Sequence, residues 1–213
     1  MNAFFAMLGV AVAAYVAGSI PFGLLIGKWH KIDIRKHGSG NIGATNITRT
    51  LGRDWGIFCF FLDFCKGMLP VVIAQQTVGS IDSLPSALLG IPGILAAAAA
   101  ISGHIWPVFL RFKGGKGMAT SLGALVALAP FHVIICAITW YLVFLATRYV
   151  SMASIAAALA LPLGGIFIRT SWPTTTLLIA ITILIVYKHR SNIVRLLEGT
   201  ENRFERQPGK KQK

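Results

Sequence analysis

Three polar strings punctuated by glycine bring together side chains that could bind an anion. They are GSGNIGATN from Gly38 to Asn46, FKGGKG from Phe112 to Gly117, and HRSNIVRLLEGTE from His189 to Glu201. In the first, Ser39, Asn41, Thr45 and Asn46 are interspersed with Gly38, Gly40 and Gly43. Glycine lets a backbone turn tightly and present its N–H groups inward, the arrangement of an anion-binding nest. The same residues also suit a helix N-cap, with Ser or Asn preceding a small-residue helix. Composition supports both, and Arg49, three residues past Asn46, tilts the string toward a site. In the second, Lys113 and Lys116 flank Gly114 and Gly115, and Gly117 leads into an apolar helix. A lysine-bearing glycine loop there joins backbone N–H groups, the positive helix end and ammonium charge, which suits a phosphate. No GxxxxGK[ST] spacing occurs in the chain, so this is not a Walker A loop. In the third, His189 and Asn192 share one helical face at i and i+3, with Arg195, Gly199 and Glu201 beyond.

The segments between these strings are built for a bilayer. Of 213 residues, 55% are hydrophobic and 13% charged, with a mean hydropathy of +0.69. A soluble domain carries about 25% charged residues. A hydrocarbon core of about 30 Å needs roughly 20 helical residues. Spans are expected at about 4–27, 55–75, 86–110, 118–130, 131–147, 152–169 and 174–188. Met118 to Thr147 reads either as one long span or as two broken at Pro130. Charge decides for two: with seven spans, every Lys and Arg except Lys66 and Arg169 falls on one side, as cytoplasmic loops require. With six, the basic residues divide almost evenly. The expected fold is therefore an all-α integral membrane protein: a single domain over 1–213, a bundle of about seven transmembrane helices, N-terminus out and C-terminus in. All three polar strings then lie at the cytoplasmic face.

The orientation rule accounts for most of the net charge of +13, so a nucleic-acid partner is not expected. The basic end at about 205–213 reads as a disordered tail near anionic headgroups. The first span has no Lys or Arg before it, unlike a signal peptide, and is expected to stay as an anchor. Cys59, Cys65 and Cys136 lie in spans and form no CxxC pair, so neither a disulfide framework nor a zinc site is expected. The seven acidic residues are scattered, which argues against the aspartate cluster of a metal-dependent CDP-alcohol phosphotransferase; no metal or cofactor is expected. Asp63 and Lys66, three apart within the second span, read as an intrahelical ion pair, with a substrate-facing role for Lys66 as the alternative. His104 and His132 read as structural. An organic-phosphate transporter could use the same cations, but no inverted repeat is evident and the polar strings lie at one surface instead of the midplane.

The order SGNIGATN, DFCKG, GHIWPVFLRFKGGKGMAT and HRSNIVRLLEGTENRF, on a chain of this length, resembles the bacterial acyl-phosphate:glycerol-3-phosphate acyltransferase family (PlsY). The likeness runs from about Gly18 to Phe204. It implies a multi-pass enzyme of the bacterial cytoplasmic (inner) membrane that catalyses the first acylation of phospholipid synthesis. The 1-hydroxyl of glycerol 3-phosphate would attack an acyl phosphate, giving lysophosphatidate and inorganic phosphate. The partners implied are these two substrates, membrane lipids and, functionally, the enzyme that makes acyl phosphate. By motif, the resemblance assigns Ser39, Arg49, Lys116, His189 and Asn192 to catalysis. It assigns Gly40, Asn41, Thr45, Asn46, Lys113, Gly114, Gly115, Gly117, Ser154 and Glu201 to binding or support of the site. No histidine has an aspartate five positions on, which separates the chain from acyltransferases of the HxxxxD class.

Overall fold

The computed structural model describes residues 3–78, 90–166 and 168–204, and within them the regular structure is entirely helical. The start of the third expected span, 86–89, and the basic tail, 205–213, lie outside the described residues. Helix α1 (Ala3–Ser19) is followed by α2 (Phe22–Trp29), and a short helix α3 (Ala44–Leu51) precedes the long α4 (Arg53–Thr77). Then come α5 (Ile91–Ile105), α6 (Met118–Leu128), α7 (Pro130–Thr147), α8 (Val150–Leu163), α9 (Trp172–Lys188) and α10 (Arg190–Leu197).

Prolines set several of the breaks. Pro21 has no N–H to continue the ladder of α1, so α1 and α2 separate there, and the Ile20 carbonyl between them accepts the Phe22 N–H at 3.1 Å. Pro130 stands in the first turn of α7, where a missing N–H costs nothing, and the preceding Ala129 turns out of helical geometry. Met118 to Thr147 is thus two helices broken at Pro130.

Among the described residues, four helical stretches are long and apolar enough to cross a membrane: Ala3–Trp29, Arg53–Thr77, Ile91–Leu110 and Pro130–Thr147. A fifth is reached if α9 and α10, bent by 54°, are counted together. Helix α6, with 11 residues, is about 16 Å long and α8, with 14, about 21 Å, both short of the roughly 30 Å core. The expected count of seven crossings therefore rests on two helices too short to span the core alone.

Inside and outside are sorted by size more than by polarity. The buried core is rich in Ala, including Ala96, Ala97, Ala100, Ala124, Ala157 and Ala158, while Phe58, Phe61, Leu69, Ile73, Ile134, Ile138 and Leu142 point outward. Lipid is as apolar as any side chain, so helix association gains little from burying large residues and depends on close backbone approach. Helices α4 and α6 show this twice. A Cβ on Gly67 would lie 2.0 Å from the Thr120 carbonyl oxygen, and one on Gly123 would lie 2.0 Å from that of Phe64. This pairing holds the start of α6, and the loop before it, against α4.

Gly123→Ala should therefore push α6 off α4 and destabilise the detergent-solubilised protein by about 1–3 kcal/mol, read as a lower thermal unfolding midpoint. Gly9→Ala, on an open helix surface with nothing within 4 Å, should leave the midpoint unchanged or raise it.

Candidate active site

The first string is folded by one buried amide. Asn46, on the first turn of α3, accepts the Ser39 N–H at 2.8 Å and donates its amide to the carbonyls of Ile34, His37 and Asn41 at 3.2, 3.0 and 2.8 Å. Gly40, at φ +69°, makes the turn that brings Ser39 toward Asn46. Asn41 accepts the Gly43 N–H at 2.8 Å, and Gly43 begins α3 with no side-chain cap. The expected cap is thus replaced by a loop held from inside. Ser39, Asn41, Thr45 and Arg49 face a cavity, and Arg49 also donates to the Asn202 carbonyl at 3.2 Å.

The second string packs against the end of α5. The Gly114 N–H donates to the Ile105 carbonyl at 3.2 Å and that of Gly115 to His104 at 3.1 Å. Both donors that a phosphate nest would use are taken. Gly117, at φ +83°, turns the chain into α6, whose first N–H groups have no partner within the helix. Lys116, Gly117, Met118 and Ala119 line the cavity, whereas Lys113 is exposed and outside it.

The third string gathers around Glu201. Its Oε1 accepts from Ser151 at 2.9 Å and Asn192 at 2.8 Å, and its Oε2 accepts from Arg195 at 2.8 Å. Asn192 in turn accepts from the Lys116 ammonium. His189 is buried at the α9–α10 bend; a carbonyl can only accept, so its Nδ1 donates to the Ile185 carbonyl at 2.8 Å and Nε2 is left as the acceptor of the neutral ring.

These groups share one cavity of about 590 Å³. Ser39, Arg49, Lys116, His189, Asn192, Ser151, Ser154 and Glu201 form its polar part, and Phe60, Leu122, Ala137, Trp140, Tyr141 and Ala157 an apolar part between α4, α6, α7 and α8. Burial holds the Lys116 ammonium down to about 8; Glu201 opposes this, and Arg195 and Arg49 add to it. Burial, then the Lys116 charge, holds the His189 imidazole down to about 4. Burial alone would raise the Glu201 carboxyl, but hydrogen bonds from Asn192, Ser151 and Arg195 outweigh it and keep its pKa below the ordinary value. Among the described residues no group of three or more His, Cys, Asp or Glu side chains is placed to hold a metal ion.

A family model described as glycerol-3-phosphate acyltransferase matches residues 8–199. The chain belongs to this family. It is 45% identical to a glycerol-3-phosphate acyltransferase of Aquifex aeolicus over 200 residues, 92% of this chain and 98% of that one. A relative of the same description from Neisseria meningitidis is 40% identical over 203 residues, 92% of this chain and 96% of its own. Among solved structures, the fold is similar to a crystal structure of PlsY (YgiH), an integral membrane glycerol 3-phosphate acyltransferase, in its glycerol 3-phosphate form. The TM-score is 0.84 at 42% identity, covering 93% of this chain and 96% of that one. Its lysophosphatidic acid form gives 0.82 at 41% identity, covering 93% and 95%. The chain is thus an integral membrane acyltransferase of phospholipid synthesis.

Of the residues singled out for this glycerol-3-phosphate acyltransferase, the structure brings Ser39, Asn41, Thr45, Asn46, Arg49, Lys116, Gly117, Ser154, His189, Asn192 and Glu201 to the cavity wall. Lys113, Gly40, Gly114 and Gly115 are not among its lining residues. Asn46 and Glu201 reach it with their polar atoms already engaged by protein. Ser151 was missed, and Arg195, named in the third string, was given no role there. The i, i+3 spacing of Ser151 and Ser154 on α8 was the available signal for the first.

Asn46→Asp keeps the acceptor for Ser39 but loses the donor to three carbonyls, so it should cut acyltransferase activity at least tenfold, an effect of about 1.4 kcal/mol, and lower the thermal midpoint. The check is turnover and unfolding measured on the same preparation.

Proposed function

We propose that this family member transfers a fatty acyl group from an acyl phosphate to the 1-hydroxyl of glycerol 3-phosphate in the bacterial cytoplasmic membrane, releasing lysophosphatidate and inorganic phosphate. The observation that carries the reading is one cavity with cations and N–H groups at one part and an apolar groove at the other. Both proposed reactants are phosphate anions, and one carries a long chain. Lys116, Arg49 and the first N–H groups of α6 would hold phosphate oxygens, while the groove between α6, α7 and α8 would take the acyl chain. The solved neighbours, one in a glycerol 3-phosphate form and one in a lysophosphatidic acid form, support the acceptor and the product of this reading.

In the reaction, a C–O bond forms between the glycerol 1-oxygen and the acyl carbon, the mixed-anhydride C–O bond breaks, and phosphate leaves with its electron pair. An acyl phosphate is already activated. Positioning, worth up to about 7–11 kcal/mol, and charge stabilisation of the tetrahedral oxyanion then carry most of the catalysis. Ser39 and Asn192 would orient the reacting groups. The hydroxyl proton passes to the donor's phosphate in this reading. His189 is a poor base at neutral pH with a pKa of about 4, and serves as a hydrogen-bonding residue.

Purified protein should release phosphate only when given both palmitoyl phosphate and glycerol 3-phosphate, forming lysophosphatidate, and Ser39→Ala should be silent. Turnover with palmitoyl-CoA in place of palmitoyl phosphate would overturn the donor, and no turnover by folded protein with either would overturn the reaction. Because Lys116 is protonated below about 8, kcat/KM should fall as pH rises through that value. Lys116→Arg, whose charge persists to a pKa of about 12 or above, should abolish the alkaline limb. His189→Gln should slow turnover without changing the shape of the pH profile; loss of an acidic limb would restore histidine as the base.

A further inference from the structure

The glycine at position 115 needs an explanation that the anion nest does not supply. Its N–H is taken by the His104 carbonyl, and its backbone is not among the positive-φ glycines. What forbids a side chain is the His104 ring: a Cβ on Gly115 would lie 2.2 Å from Nε2. His104, 4% exposed at the end of α5, therefore grips the loop twice, by its carbonyl and by its imidazole. The other ring nitrogen, Nδ1, stands 3.7 Å from Asp63 Oδ1 and makes no hydrogen bond. Asp63 pairs with Lys66 at 2.8 Å, and the Lys66 ammonium donates at 2.7 Å to the Ile20 carbonyl at the α1–α2 break, which also accepts the Phe22 N–H.

An ion pair that only joined helices would have no reason to stand at the reaction cavity. Asp63 and His104 both line it, and ionisable groups at membrane depth are expensive to keep. We infer that Asp63, Lys66 and His104 form a positioning cluster for the acyltransferase reaction, fixing Gly115 against α5 and so setting the place from which Lys116 reaches Asn192 and the substrate anion. This rests on the reading of Lys116 as the cation that holds phosphate. Carbonyl, carboxylate, ammonium and imidazole here connect the α1–α2 break, α4, α5 and the glycine loop.

The test uses the full-length enzyme in detergent with four single variants, Gly115→Ala, His104→Ala, Asp63→Asn and Lys116→Ala, and the double variant of the first two. Gly115→Ala and His104→Ala should each lose about 10- to 100-fold in kcat/KM, the size of a roughly 1 Å misplacement. The double variant should be no slower than His104→Ala alone, because the clash partner is gone. In His104→Ala and Asp63→Asn the alkaline limb of kcat/KM should move from its wild-type position, since Lys116 would stand differently among Arg195, Arg49 and Glu201; a merely structural role would lower the unfolding midpoint and leave the limb where it was. Losses that multiply in the double variant, an unmoved limb, or wild-type activity of Asp63→Asn and His104→Ala beside a dead Lys116→Ala would overturn the inference alone. Full activity of Lys116→Ala would overturn it together with the reading of Lys116.

Discussion

Burying the Glu201 carboxylate among three donors joins parts of the chain that apolar packing alone would leave loosely aligned. Ser151 comes from the start of α8, Asn192 and Arg195 from α10, and through Asn192 the network reaches Lys116 at the start of α6. Hydrogen bonds to a charged group contribute about 1.5–3 kcal/mol each. The larger consequence is negative: removing a donor leaves carboxylate oxygen desolvated, so each partner holds the others in place. Helices here meet through alanine and glycine, which permit close approach without specifying rotation tightly. The carboxylate supplies the register at the end of the bundle where the cavity lies.

The same need to satisfy polar groups explains where irregular backbone is tolerated. Away from water every N–H and C=O must find a partner within the protein. The glycine loop uses the last carbonyls of α5, the first string uses the Asn46 amide, and the Ile20 carbonyl at the α1–α2 break uses the Phe22 N–H and Lys66. Donors left over are therefore few and concentrated, at Lys116, Arg49 and the first turn of α6, beside a groove whose walls are almost wholly hydrocarbon. One end of the cavity suits charge and the other suits a chain because the backbone elsewhere has already been satisfied.

Much of this was legible from residue types. Runs of polar and charged residues are too costly within lipid to occur there by default, so the three strings announced themselves as helix ends, and Pro130 announced the division of α6 from α7. Which donors remain free was not legible. Gly114 and Gly115 look like a nest by composition, yet their N–H groups are spent on carbonyls of residues ten positions or so earlier, a fact of packing that spacing does not record. Asn46 looks like a ligand-binding amide and is a loop lock for the same reason. Ser151 escaped notice, and Arg195 was seen without a role, because what each contributes comes from a carboxylate that sits far along the chain or a turn away. His104 looked isolated, since Asp63 is on another helix and the glycine that betrays it is explained only by a van der Waals contact. The shortness of α6 was already present in its expected bounds, 118–130; that of α8 was hidden because hydropathy marks where an apolar run lies and not how much of it is wound into one straight helix.

The cavity's division into a polar part and an apolar part, the latter bounded by the sparsely buried α7, has a kinetic consequence. In the proposed reaction one reactant is dissolved in three dimensions and counted in moles per litre, whereas the acylated one lives in a sheet and is counted per unit of membrane area. An enzyme built this way responds to the second through its mole fraction among lipids, so diluting the membrane with inert lipid slows it even when the total amount of both reactants is unchanged. Its product, carrying the chain, is already at home in that sheet when it leaves.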